Sequence, residues 1–198
     1  KSKSVIFMSL DFTVANYIQQ HNSVMSSLDQ EEVDFAINLI IKTWKSNHQI
    51  VTCGNGGSAN TTSHYITDWN KMSNLATGKQ FKGICLSDNI GMLTAYANDL
   101  SYEDIYAEQV KNMMNPEDLL IAVSGSGNSE NIVRAIDVAN GNGITTLAIC
   151  GYDGGKIKKI AHHSLHIKSF DMQLCEDAHF VFGHMVMKKL CGNKIQDN

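Results

Sequence analysis

Five short apolar, β-rich runs punctuate this chain, and each is separated from the next by a helix-patterned stretch. They fall at 49–53 (QIVTC), 81–87 (FKGICLS), 119–124 (LLIAVS), 144–150 (ITTLAIC) and 164–168 (SLHIK). The intervening segments at about 58–70, 89–97, 102–114, 129–141 and 155–161 carry helical spacing, and a last helix is expected over about 172–191. Apolar strands linked by helices imply a parallel sheet covered on both faces, an α/β fold. Ahead of the first run, Val14, Tyr17 and Ile18, then Val33, Ala36, Ile37, Ile40 and Ile41, recur at helical spacing. Residues 12–46 therefore read as an N-terminal helical hairpin, with Ser27 and Glu31 as polar start signals for its second helix.

Composition narrows the function. The 198 residues suit one domain, and 43% hydrophobic against 18% charged residues can bury a core. A net charge of −4 without a basic run argues against a nucleic-acid binder. No apolar stretch approaches the roughly 20 residues of a membrane span, and the opening KSKSVIF is too short for a signal peptide. A cytoplasmic protein is expected. Residues 1–7 read as a non-native extension ahead of Met8, 8–192 as a single domain and 193–198 as a tail. Cys53, Cys85, Cys150, Cys175 and Cys191 lack CxxC spacing and read as small buried hydrophobes.

In open α/β sheets ligands bind beyond the carboxyl ends of the strands. The residues following the runs are rich in glycine, serine and asparagine: Gly54-Asn55-Gly56-Gly57-Ser58 after the first, Gly125-Ser126-Gly127-Asn128-Ser129 after the third, and Gly151-Tyr152-Asp153-Gly154-Gly155 after the fourth. Small residues between a strand and a helix let backbone N–H groups close on an anion. Ser124, Ser126 and Ser129 add hydroxyls, so SGSGNS reads as a phosphate cradle without a lysine, or as a plain tight turn with a serine cap. Gly54, Gly56 and Ala59 also fit a dinucleotide fingerprint. That reading needs an acidic residue about 20 positions on, whereas the next strand closes only at Ser87-Asp88. Neither serine loop has the G-x-S-x-G order of a nucleophile elbow.

Two histidine–acid pairs stand out. His64 and Asp68 are four residues apart on the helix after the first loop, about 40° apart around its axis. Glu176 and His184, with His179 between them, lie two turns apart on the last helix. Two imidazoles and two carboxylates could bind a divalent cation, most plausibly zinc, or act as a proton-transfer pair. Each histidine alone is more readily a half-buried side chain bonded to a neighbouring helix, or a solvated one, and His162, His163, His166 and His179 are read that way.

The stretches CGNGGSANTTSHYITDW, LTAYANDLSYEDIYAEQV, IAVSGSGNSENIVRAI and CEDAHFVFGHMV, taken together and in this order, resemble the sugar isomerase (SIS) domain family, and within it the bacterial phosphoheptose isomerases. The resemblance spans about residues 12–191. It implies a flavodoxin-like three-layer fold with a five-stranded parallel sheet, a homotetramer with sites at subunit interfaces, and a phosphosugar substrate, with neither nucleic acid nor membrane as partner. Carried over, Asn55, Gly56, Gly57 and Ser58 fall on the first substrate loop, Asn98 and Asp99 on an Asn-Asp substrate contact, and Ser124, Gly125, Ser126 and Ser129 on the phosphate loop. The isomerisation base falls on Asp68 and the second acid/base on His184, while the zinc set maps to His64, Asp68, Glu176 and His184.

Four features depart from the family pattern. Asp68 replaces a glutamate and is one methylene shorter. Glu176 stands where glutamine is usual, and Gly125 replaces a threonine. Met172-Gln173-Leu174-Cys175 replaces an arginine-containing run. A carboxylate at 176 repels a phosphosugar unless a cation neutralises it, so firm metal binding is expected. The implied activity is aldose–ketose isomerisation of sedoheptulose 7-phosphate to a heptose 7-phosphate through an enediol(ate), serving surface-polysaccharide synthesis. Three alternatives stay open: a non-catalytic SIS scaffold assisting replication initiation, a phosphosugar-sensing module, and an isomerase of another ketose phosphate.

Overall fold

The computed structural model describes residues 12–192. The readings of 1–7 as an extension and of 193–198 as a tail lie outside the described residues. Helices α1 (Val14–Ser26) and α2 (Gln30–Lys45) open the chain. Then follow β1 (Ile50–Gly54), α3 (Gly57–Thr77), β2 (Gly83–Cys85), α4 (Ile90–Asp99), a 3-10 turn (Tyr102–Asp104), α5 (Ala107–Met113), β3 (Leu119–Ser124), α6 (Glu130–Gly141), β4 (Thr145–Cys150), α7 (Ile157–Ile160), β5 (His163–His166) and α8 (Met172–Cys191).

All strand pairs are parallel, in the order β2-β1-β3-β4-β5. This is the flavodoxin-like arrangement expected. Alternation along each strand sorts the core into two layers. Leu119, Ile121 and Val123 of β3 and Leu147 and Ile149 of β4 face α2, α3 and α8, whereas Leu120, Ala122, Ala148 and Cys150 face α5, α6 and α7. Because both faces are covered, the central strands read as continuous apolar runs.

Two expectations shift. Helix α2 is capped by Asp29, whose carboxylate accepts from the Glu31 and Glu32 N–H groups at 3.0 and 3.2 Å. Ser27 instead closes α1, its hydroxyl donating to the Val24 carbonyl at 2.8 Å. The helix expected over 102–114 is broken, because Asp104 is drawn back by the Ser101 hydroxyl (2.7 Å) and outward to Arg134 (2.7 Å). All five cysteines are free and buried. Among the described residues no helix is long and apolar enough to cross a membrane.

Candidate active site

Strand order reverses between β1 and β3, so the loops after these two strands part and leave a crevice. A cavity of about 300 Å³ occupies it. Asn55, Gly56, Gly57 and Ser58 line it from the first loop, Ser124, Gly125, Ser126 and Ser129 from the second, and Met172 and Glu176 from α8. In the second loop, the Ser124 hydroxyl accepts from the Gly127 N–H (3.2 Å) and the Ser126 hydroxyl from the Asn128 N–H (3.3 Å). Gly127 has φ +65°, and a β-carbon there would stand 2.2 Å from the Gly154 carbonyl, so glycine alone lets this loop nest against the one after β4. Ser129 takes the N-cap position of α6 without a side-chain capping bond.

Among the described residues no lysine or arginine lines the cavity, and Glu176 is its one acidic group. Anion binding here falls to N–H groups, hydroxyls and helix N-termini. A β-carbon at Gly57 would stand 3.0 Å from a Glu176 carboxylate oxygen, which places that charge against the first turn of α3.

Further along α3 lies a second cluster. His64 follows Gly57 by seven residues, about 20° short of two full turns, so both lie on one face about 10 Å apart along the axis. The His64 Nε2 atom is 3.2 Å from Asp68 Oδ2 and 3.3 Å from His184 Nε2, and His184 Nε2 is 3.9 Å from Asp68 Oδ2. The shorter aspartate side chain thus reaches both imidazoles. These three ligand atoms lie within 4.8 Å of one another, a set suited to a divalent cation. Glu176 is not among them; its carboxylate belongs to the loop cavity.

What brings α3 and α8 together is a contact that sequence reasoning passed over. The Tyr65 ring lies against Gly183, its hydroxyl donates to the His179 carbonyl, and Trp69 Nε1 donates to the Gly183 carbonyl at 3.0 Å. Tyr65 and Trp69 stack at 4.9 Å and are fully buried. At about 25 cal/mol per Å², burying each contributes at most on the order of 4–6 kcal/mol. A lone glycine in the middle of the last helix was the available signal. Phe180 completes the wall, its ring 4.5 Å from that of His64 and 5.0 Å from that of His184.

His179 is 1% exposed and neither ring nitrogen makes a hydrogen bond of normal geometry. Desolvation pushes its pKa down to about 4, which a contact with the Cys150 backbone offsets only in part.

Asn98 and Asp99 do not line the cavity: they end α4 at an exposed position, with the Asn98 amide donating to Asp99 at 2.8 Å. Two unanticipated residues, Asn131 and Tyr102, contact Asn55 instead. Asn131 was detectable as a polar residue within the core-facing stripe of α6, beside Ile132, Ala135 and Ile136.

The SIS domain family matches this sequence over residues 16–151. The chain belongs to the SIS domain family. Its SIS relatives include the phosphoheptose isomerase of Helicobacter pylori strain P12, 34% identical over 178 residues, 89% of this chain and 92% of that one. A probable phosphoheptose isomerase of Thermoplasma volcanium is 30% identical over 87% of this chain and 88% of its own length. Among solved SIS structures, the phosphoheptose isomerase of Neisseria gonorrhoeae superposes with a TM-score of 0.81 at 23% identity, covering 89% of this chain and 96% of the other. That last likeness concerns the fold.

Proposed function

We propose that this SIS protein is an aldose–ketose isomerase converting sedoheptulose 7-phosphate to D-glycero-D-manno-heptose 7-phosphate through an enediol(ate). The observation that carries this reading is the shared face of α3. Its first turn borders a serine-glycine cavity, and two turns on it presents His64 and Asp68 to His184. A ligand anchored by its phosphate in that cavity would extend several carbons to reach the pair. Phosphoheptose isomerase relatives at 34% and 30% identity over most of the chain support the same substrate class.

In this mechanism Ser124, Ser126, Ser129 and the loop N–H groups hold the phosphate, and this remote binding positions the reacting carbons. Asp68 removes the proton beside the carbonyl, and His184 moves the proton at oxygen. Without a metal, His64, 3.2 Å from Asp68, orients that carboxylate. His64, Asp68 and His184, whose ligand atoms stand 3.2, 3.3 and 3.9 Å from one another, would hold a zinc ion. Bound there, zinc would supply a positive charge that stabilises the developing oxyanion.

Further parts of the proposal are a homotetramer with sites between subunits, a cytoplasmic location and a role in heptose supply for surface polysaccharide. The exposed position of Asn98 and Asp99 supports sites completed by a neighbouring subunit. Turnover across five- to seven-carbon ketose and aldose phosphates, with and without added zinc, tests the reading. Fastest turnover is expected with sedoheptulose 7-phosphate. No turnover of any member of the panel would overturn it.

A further inference from the structure

Asn55 is the meeting point of three segments that are far apart in sequence. It lies in the loop after β1 and lines the cavity. Its Nδ2 donates to Asn131 Oδ1 at 2.8 Å, and its Oδ1 accepts from Asn131 Nδ2 at 2.9 Å and from the Tyr102 hydroxyl at 3.1 Å. Asn131 sits in the first turn of α6, directly behind the serine loop, and is 1% exposed. Tyr102 belongs to the 3-10 turn, which Arg134 of α6 clamps through Asp104 at 2.7 Å.

A primary amide has two N–H donors and an oxygen with two acceptor sites. In Asn55 both acceptor sites are filled and one donor is spent, which leaves a single N–H. We propose that Asn131 and Tyr102 are positioning residues that hold the Asn55 amide in this one orientation, so that it meets the ligand as a hydrogen-bond donor only. The group it recognises is then an acceptor oxygen of the phosphosugar, on the phosphate or on the sugar. Burial of Asn131 follows the same logic: a polar side chain taken out of water is retained where its bonds are met, and here the amide it orients meets one donor and one acceptor of Asn131. Tyr102 seals the second lone pair of Asn55, against which a phosphate oxygen would otherwise be repelled.

The kinetic part of the test rests on the isomerase reading, whereas competition or direct titration with inorganic phosphate does not. The full chain would be compared as wild type, Asn131→Ala, Tyr102→Phe and Asn55→Asp. KM and kcat for sedoheptulose 7-phosphate, the affinity for inorganic phosphate by calorimetry, and zinc content would be measured for each. Asn131→Ala is expected to raise KM about tenfold or more with kcat within about threefold and zinc content unchanged. Tyr102→Phe should shift KM in the same direction by about threefold, and Asn55→Asp, which replaces the last donor by an acceptor, should weaken binding at least as much as Asn131→Ala. A parallel loss of phosphate affinity assigns the contact to the phosphate; a KM effect without it assigns the contact to the sugar. Unchanged KM and phosphate affinity in folded Asn131→Ala would overturn the proposal. Tyr102 is exposed, so should Asn131→Ala fail to fold, Tyr102→Phe decides alone, and its wild-type behaviour in both readouts is equally fatal. If wild type proves inactive on every sugar yet binds phosphate, the isomerase reading falls while the calorimetric comparison still judges the role of Asn131.

Discussion

The ring of Tyr65 fills the space that a side chain at Gly183 would need: a β-carbon there would stand 2.3 Å from two of its ring atoms. Tyr65 cannot yield easily, because it is stacked on buried Trp69 and tied by its hydroxyl to the His179 carbonyl. Gly183→Ala should therefore push α8 off α3, at a cost of about 1–3 kcal/mol for overpacking. Since His184 is the next residue, zinc affinity should fall as well. Urea denaturation read beside a zinc titration checks both, and unchanged zinc affinity would separate the helix contact from the histidine cluster.

Asp68→Asn removes a proton acceptor while keeping size and shape. Turnover should fall by about 10²–10⁴-fold, the usual worth of a positioned general base. Affinity for phosphosugar should stay within a few-fold, because Asp68 lies about three helical turns beyond Gly57, where α3 borders the loop cavity. Steady-state kinetics and calorimetric binding of the ketose phosphate provide the comparison.

Zinc at about one per chain is expected in untagged protein, held by His64, Asp68 and His184. Metal at a hundredfold excess over its dissociation constant stabilises by about 2.7 kcal/mol. Chelation should thus lower Tm by roughly 5–10 °C for a chain of this size, and His64→Ala should abolish that response. Elemental analysis and differential scanning calorimetry give the two readouts.

Glu176→Gln removes the one carboxylate that lines the loop cavity among the described residues. Phosphosugar KM should fall a few-fold at low ionic strength, with the gain shrinking as salt is raised. Zinc content should not change, since Glu176 stands outside the His64–Asp68–His184 group. A drop in zinc content would instead make Glu176 a fourth ligand.

His179 predicts an acid limb of stability. Its folded value of about 4 lies below its ordinary 6.5, so between these the unfolded chain binds a proton that the native protein does not. Stability is full above about pH 6.5 and declines towards pH 4, by up to about 3 kcal/mol. His163, also lowered by burial, acts in the same sense. Urea midpoints measured from pH 7 to 4.5 should fall steadily, and His179→Leu should flatten that slope.

Much of this was legible in the residue order. Continuous apolar runs such as LLIAVS gave β3 to the residue, and glycine-serine clusters after β1 and β3 marked the crevice. Spacing of four put His64 and Asp68 on one helical face. Helix and strand periodicity, turn chemistry and motif spacing are local properties, and a linear string carries them in full.

Which distant side chains would meet was another matter. Nothing in the spacing told Glu176, which turns to the loop cavity, from His184, which turns to His64; the Tyr65–Gly183 contact, setting the rotation and approach of two helices more than a hundred residues apart, did that. Nor did sequence tie Asn55 to Asn131 and Tyr102. The residue order determined the elements and the chemistry each carries. Packing alone decided which of those groups share a site, because close contact between helices depends on the fit of side chains that periodicity does not encode.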